Sequence, residues 1–437
     1  MNILVCPLTA LRRLLGDLAA RPRSTAFARV GPRTVPPDRC WLVRDGALGP
    51  GRSPAPARAT SFGFTASDRP PDMAWDLADG LVGRLVLGRG PARGRLWGAV
   101  RTPQGIEPLD RLDLVGPGMF RLPTEDAQAR AGDRDPRAAV EPPADRWSRT
   151  VGALGGEAVW RRLAGLHIAV VGCGRSGSVA AAALARLGVR RLTLVDPDAV
   201  EEHNLGEMDV VTGADLGRPK AEALAAGLSP GRGPGLPPVA AVVASVAHPA
   251  GLAAARGCDV LFCCVDGDAA RLACGLVAAL HHRVLVDLGT GVHFAEDAGA
   301  EAGPGPVPRL MGADVRLIVP GDGCLLCRGG LAGYAAALDE LTDVPRPWAA
   351  PRADWRGHRA GSLAALNQMA VALGVRMLQD LVAGRLGGSA WARLEFDGRG
   401  RLAVDYPGTG GTPPGARPCA LCARAGRGDD APRPVSP

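Results

Sequence analysis

Residues Leu166–Lys220 read LHIAVVGCGRSGSVAAAALARLGVRRLTLVDPDAVEEHNLGEMDVVTGADLGRPK, and this stretch decides the fold. The apolar run Ile168–Val171 is short and β-branched, as a buried strand is, and it meets Gly172-x-Gly174-x-x-Gly177. An Ala/Leu-rich helical segment follows, then a second apolar run, Leu192–Val195, ending at Asp196. Strand, glycine turn, helix, strand and acid in that order predict a nucleotide-binding βαβ unit. The glycines let the backbone turn tightly and approach phosphate, while the helix N-terminus offers unpaired N–H groups to an anion. Asp196 stands at a strand end, where a carboxylate accepts hydrogen bonds from a ribose. The same pattern serves NAD-dependent oxidoreductases, so the rest of the chain has to choose the nucleotide.

Downstream, Ala221–Leu228 reads as a helix and Val239–Val246 as a strand. Asp259–Asp266 reads as a strand ending in an acid, and Val284–Leu288 as a further strand. This alternation predicts an α/β fold, a Rossmann-like, mostly parallel sheet with helices on both faces. Ligands on such sheets bind at the C-terminal strand ends, where Gly174, Asp196 and Asp266 fall. Upstream, VGALGGEAVWRRLAGL reads as one helix leading into the first strand, preceded by Asp145-Arg-Trp-Ser-Arg149. A long helix over Ser362–Ala383 and a hairpin over Ala392–Val404 complete the region.

With 437 residues the chain has room for two domains. Residues 1–140 are rich in Pro, Gly and Arg, with strand-like pieces at Cys40–Val43 and Gly83–Leu87, and predict a smaller α+β N-terminal domain. No histidine occurs there, so a metalloprotease of the HxH type cannot be built in it. Its two thiols, Cys6 and Cys40, are expected to be small buried side chains rather than conjugating nucleophiles. Gln128–Asp145 has the polar, proline-rich character of a linker, residues 145–425 form the nucleotide-binding domain, and 426–437 are expected to be a disordered tail. No apolar run of about 18 residues suggests a membrane span. The N-terminus has no signal-cleavage pattern, which predicts a cytoplasmic protein. The net charge of +7 is spread along the chain, as on a solvated surface, and not gathered into a nucleic-acid patch. Of 51 basic residues only one is lysine, Lys220, inside the nucleotide-binding stretch. Lysine is a compact point charge on a flexible stem, suited to phosphate where a planar fork does not fit.

The eleven cysteines point to a reducing compartment with a metal site. Cys324-Leu-Leu-Cys327 and Cys419-Ala-Leu-Cys422 supply four thiolates with the bite of tetrahedral zinc. Four cysteine ligands leave no open position, so the metal's role is structural, stapling the C-terminal segment to the domain. Cys173, Cys258, Cys263, Cys264 and Cys274 lie in apolar strands or helices and read as core.

Over residues 145–425, about two thirds of the chain, these features together resemble the ThiF/MoeB/HesA family, whose adenylating fold is shared with ubiquitin-activating enzymes. Arg149 is similar to the entry-motif arginine that reaches the ATP of a partner subunit, which implies a homodimer. Asp196 matches the ribose acid, Asn204 the Asn of the family's Asn-Leu-x-Arg, Lys220 the phosphate lysine and Asp266 the magnesium-associated aspartate. The resemblance implies ATP-dependent adenylation, with magnesium, of the C-terminal carboxylate of a small ubiquitin-like sulfur-carrier protein or a peptide ending in glycine. Two positions depart from the family pattern. Arg175 replaces the second glycine of GxGGxG, and Glu207 replaces the Arg of Asn-Leu-x-Arg. Either Arg175, oriented by Glu207, supplies the missing positive charge, or the pair blocks the triphosphate pocket and the fold serves as a non-catalytic scaffold. No cysteine lies between Cys327 and Cys419, so a thioester or persulfide step is absent or supplied by a partner. The N-terminal domain stands where some relatives carry a JAB-type module; without histidine it would be a degenerate one.

Overall fold

The computed structural model describes residues 1–20, 26–35, 38–48, 61–67, 71, 77, 81–89, 92–131, 145–232, 236–294, 308–331, 337, 341, 363–397, 400–407 and 419–430. Two sheets organise them. The C-terminal sheet has eight strands: β10 His167–Val171, β11 Arg191–Val195, β12 Ala240–Val242, β13 Val260–Cys263, β14 Val284–Phe294, β15 Pro308–Ile318, β16 Ala390–Phe396 and β17 Leu402–Asp405. Their spatial order is β12-β11-β10-β13-β14-β15-β16-β17. The first four pairings are parallel and the last three antiparallel. After β12 the chain returns to the other flank of β10, so strand order reverses between β10 and β13, the switch point at whose C-terminal strand ends sheets of this kind bind ligands.

The period of two along the strands explains the layering. Ile168, Val170, Val260, Phe262, Val284 and Val286 face one buried cluster, shared with helix α5 (Arg175–Arg186) and the long helix α9 (Ala364–Ala383). Ala169, Val171, Leu261, Cys263 and Leu285 face a second cluster with α7 (Pro249–Gly257) and α8 (Asp268–His281). Both faces are covered, as the sequence predicts.

The N-terminal sheet has nine strands: β1 Asn2–Pro7, β2 Ala26–Val35, β3 Asp38–Leu48, β4 Ser61–Ser67, β5 Leu81–Gly88, β6 Leu96–Thr102, β7 Gly105–Pro108, β8 Arg111–Val115 and β9 Phe120–Pro123. Their spatial order is β7-β6-β5-β4-β2-β3-β1-β8-β9. Ile3, Val5, Cys40 and Leu42 point into the cluster that also holds β10 and α5. Leu4, Cys6, Trp41 and Val43, at the alternate positions, face α1 (Leu8–Ala20). The two sheets therefore share one continuous core. Arg121 on β9 adds a charged clasp: it ion-pairs with Asp259 and donates to the Gly165 carbonyl at 3.1 Å.

Several boundaries differ from the sequence reading. The helix before β10 is two, α3 (Ser148–Leu154) and α4 (Glu157–Ala164), because Gly155 and Gly156 take φ of 97° and 115° and end the first. The strand expected over Val239–Val246 pairs only at Ala240–Val242, and that over Asp259–Asp266 only at Val260–Cys263. Gln128 belongs to helix α2 (Glu125–Ala131), while residues 132–144 of the expected linker lie outside the described residues. Gly426–Asp430, expected in the tail, are docked. The Gly426 N–H donates to Ala279 at 3.0 Å, and Asp429 accepts from the Thr34 N–H at 2.8 Å and pairs with Arg256 at 2.9 Å. Residues 431–437 lie outside the described residues. Among the described residues no helix is long and apolar enough to cross a membrane.

Candidate nucleotide and metal sites

The glycine turn is shaped by contact with its neighbours. Gly172 has φ 86°, and a Cβ there would lie 2.7 Å from the Cys264 carbonyl oxygen on the segment leaving β13. A Cβ on Gly177 would lie 1.8 Å from the Gly172 carbonyl oxygen, so the turn closes onto α5 only with glycine at 177. At Gly174, the N-cap of α5, a Cβ would meet nothing within 4 Å, and the backbone faces open space. Gly172, Gly174 and Gly177 thus form the cradle the sequence predicts, and Asp266 follows β13 beside it, exposed.

Asp196 clasps this cradle. Its Oδ2 accepts from the Cys173 N–H at 2.6 Å and its Oδ1 from the Asp198 N–H at 2.8 Å, at 5% exposure. Burial pushes its carboxyl above the usual carboxylate range, opposed by those two hydrogen bonds and by Lys220. Lys220 opens helix α6 (Lys220–Leu228), and its Nζ lies 3.1 Å from Asp198. Its own N–H donates to the Asp198 carbonyl at 2.8 Å, fixing the root of the side chain. Asp198 was not singled out in the sequence; the Asp-Pro-Asp repeat at 196–198 is the signal that marks it.

Asn204 is buried at 4% and caps its own turn, with its Oδ1 accepting from the Glu201 N–H at 2.9 Å. Five residues on, at Asp209, the chain returns to the glycine turn. Ser178 Oγ donates to the Arg175 carbonyl at 3.1 Å and accepts from the Asp209 N–H at 3.0 Å. Arg175 and Glu207, the two departures, form an ion pair, each about 30% exposed. A second residue missed in the sequence is Asn367 on α9, 2% exposed. It accepts from Ser176 Oγ at 3.1 Å and from Thr290 Oγ1 at 2.8 Å, so α9 reaches the glycine turn from 191 positions away.

Arg149 is not brought to this cradle. Trp147 and Trp160 pack with ring centroids 5.1 Å apart and donate to the carbonyls of Arg186 at 2.8 Å and Leu187 at 3.1 Å. They are fastened to the C-terminal end of α5, whereas Arg175 opens it; the 12 residues between span about 18 Å. Arg149 is exposed in the first turn of α3.

The four cysteines do converge. Sγ–Sγ distances are 3.6 Å for Cys324–Cys327, 3.2 Å for Cys324–Cys419 and Cys327–Cys419, and 3.5 Å for Cys327–Cys422. Tetrahedral zinc with Zn–S near 2.3 Å requires sulfur edges of about 3.8 Å, within easy adjustment of these values. The thiols share hydrogen bonds: those from Cys422, Cys327 and Cys419 lower Cys324, while Cys419 and Cys422 are raised, so the cluster favours a thiolate at Cys324 at its neighbours' expense. Leu325 and Leu421, 1% and 0% exposed, seat the two turns against Gly275 of α8, where a Cβ would come within 3.4 Å of both. Cys6, Cys40, Cys173, Cys258, Cys263 and Cys274 are buried and Cys264 is half-buried; burial pushes the Cys40 thiol up, away from reactivity.

The chain is similar to known proteins over part of its length. A model of the ThiF family matches residues 147–327. "Adenylyltransferase and sulfurtransferase MOCS3" of Mus musculus is 37% identical over 131 residues, 29% of this chain and 27% of that protein. "SAMP-activating enzyme E1" of Haloferax volcanii is 42% identical over 91 residues, 20% of this chain and 33% of that protein. The chain therefore spans only a third or less of these curated relatives. Among solved structures, E. coli MccB with ATP has a TM-score of 0.45 at 16% identity, covering 64% of this chain and 74% of that one. From Trp147 through the first cysteine pair at Cys327, a span that includes the glycine cradle, the chain is similar to the ThiF family.

Proposed function

We propose that the chain uses ATP to adenylate the C-terminal carboxylate of a small ubiquitin-like sulfur-carrier protein, or of a peptide ending in glycine. The observation that carries this reading is the meeting of a bare glycine cradle, the sole lysine and Asp198 at the switch point of a ThiF-family sheet. A carboxylate oxygen attacks the α-phosphorus, the bond to the bridging β-phosphate oxygen breaks, and pyrophosphate leaves. The step asks little covalent chemistry of the protein; it needs positioning and positive charge against the phosphates. Lys220 supplies that charge, held ready by Asp198. The ribose falls to Asp196, whose oxygens keep lone pairs beyond the two loop N–H groups, and Asn204 holds the turn that returns to the cradle. Asp266 is the residue to hold magnesium, which when bound neutralises the departing pyrophosphate. Zinc on Cys324, Cys327, Cys419 and Cys422 is structural. Arg149, two residues after the Trp147 that is fastened to the far end of α5, serves the site of a second copy in a homodimer.

The Arg175–Glu207 ion pair supports a second reading, a non-catalytic scaffold in which the pair closes the triphosphate pocket. Hydroxylamine separates the two, because it converts an acyl adenylate to a stable hydroxamate with release of AMP. Incubation with ATP, magnesium and acceptors ending in Gly-Gly is expected to give the hydroxamate by mass spectrometry. Its absence with every glycine-ending acceptor would leave the scaffold.

A further inference from the structure

Beneath the cradle lies a charged network that the proposed reaction does not use. Asp287 on β14 is 0% exposed, and its two oxygens face different arginines: Arg271 of α8 at 3.4 Å and Arg316 of β15 at 3.2 Å. Each arginine reaches onward to backbone. Arg271 Nη2 donates to the Val265 carbonyl at 2.9 Å, the residue before Asp266. Arg316 Nε donates to the Arg328 carbonyl at 3.0 Å and its Nη2 to the Gly329 carbonyl at 3.2 Å, the two residues after Cys327. Asp314 at 3.1 Å and the Trp391 ring, 4.5 Å from the guanidinium carbon, hold Arg316 from its outer side. Gly289 leaves room for Arg271, since a Cβ there would lie 3.2 Å from its Nη1.

Burying one carboxylate between two guanidiniums is a poor source of stability, because an apolar packing of the same volume serves as well or better. What the arrangement does specify is geometry: it fixes the segment bearing Asp266 relative to the turn bearing Cys324 and Cys327. We propose that Asp287 is a positioning residue that couples the four-cysteine metal site to the nucleotide site, so that occupancy of either tightens the other. The coupling rests on the nucleotide-binding reading above. It is reciprocal, because both ligands act on one equilibrium.

The test is zinc release from the zinc-loaded full chain into a chelating dye, with and without saturating ATP and magnesium, alongside the ATP Kd by calorimetry. Wild type is expected to release zinc about tenfold more slowly with ATP, a typical coupling factor. Arg271→Gln removes both the ion pair to Asp287 and the arm toward Val265, keeps the Asp287–Arg316 pair, and is expected to bring the ratio close to one. Asp287→Asn is expected to do the same, and Arg271→Gln carries the test should that variant not fold. Wild type that binds ATP yet releases zinc at one rate overturns the coupling and leaves the nucleotide site standing. A tenfold ratio surviving in Arg271→Gln overturns the Asp287 route. A chain that binds no ATP overturns both.

Discussion

Asp196→Asn is the substitution that best separates a structural clasp from a ligand contact. In the wild-type chain the carboxylate accepts two N–H groups, from Cys173 at 2.6 Å and Asp198 at 2.8 Å. Hydrogen bonds to a charged partner contribute about 1.5–3 kcal/mol each. An asparagine keeps one carbonyl acceptor and turns its NH2 toward the other donor. One bond is lost and a buried N–H is orphaned, at a gross cost of about 2–3 kcal/mol. Part is recovered, because burial raises the Asp196 carboxyl and a neutral amide escapes that desolvation. A net loss of about 1–2 kcal/mol remains, which lowers Tm by about 2–6 °C in a unit of this size. Thermal unfolding monitored by circular dichroism reads the first effect, and calorimetric titration the second: ATP Kd is expected to rise about tenfold as the cradle loses its shape. An unchanged Tm with lost ATP affinity would refute the reasoning, since Asp196 would then act on ribose alone and not on the loop.

The remaining predictions concern charge and metal. Glu207→Gln frees Arg175, and if the ion pair closes the pocket, ATP should bind about tenfold more tightly; weaker binding by Glu207→Gln and Arg175→Ala alike, read as Kd, is the outcome expected if Glu207 orients Arg175 toward phosphate. Burial raises the Asp259 carboxyl, but Arg121, the His167 N–H and Arg191 outweigh it and leave it below 3.8. Its contribution is therefore full above that unfolded value and lost as pH falls through the lowered folded one, so urea midpoints should drop in that acid window and Arg121→Gln should flatten the drop. Cys422→Ser or chelation should remove one zinc per chain by dye titration and lower Tm by on the order of 10 °C, because a site absent from the unfolded state adds its binding energy to folding.

What could be read from the sequence was what is local. The cradle follows from three glycines between two apolar runs, and the metal site from two short cysteine turns, because turn chemistry and ligand bite are set within a few residues. Lys220 was legible through its singularity. The two-helix break at Gly155 and Gly156 carried a signal, adjacent glycines, that a continuous amphipathic pattern on either side masked. Asp198, Asn367 and the Arg271–Asp287–Arg316 network were not legible, since their meaning is a partner on another element. The same holds for Gly426–Asp430, whose polar, glycine-rich composition reads as a tail until Thr34 and Arg256 supply partners. Asp196 shows another case: the sequence marks it as a strand-end acid, while its clasp on Cys173 and Asp198 appears only in three dimensions.

Lys220 is the residue on which the proposed adenylation turns. Exchange of labelled pyrophosphate into ATP, with magnesium and an acceptor ending in Gly-Gly, measures the reverse of that step directly. Wild type is expected to exchange in an acceptor-dependent manner, and Lys220→Ala to fall by about 10²-fold or more. Exchange no greater in wild type than in Lys220→Ala, across glycine-ending acceptors, would contradict the account.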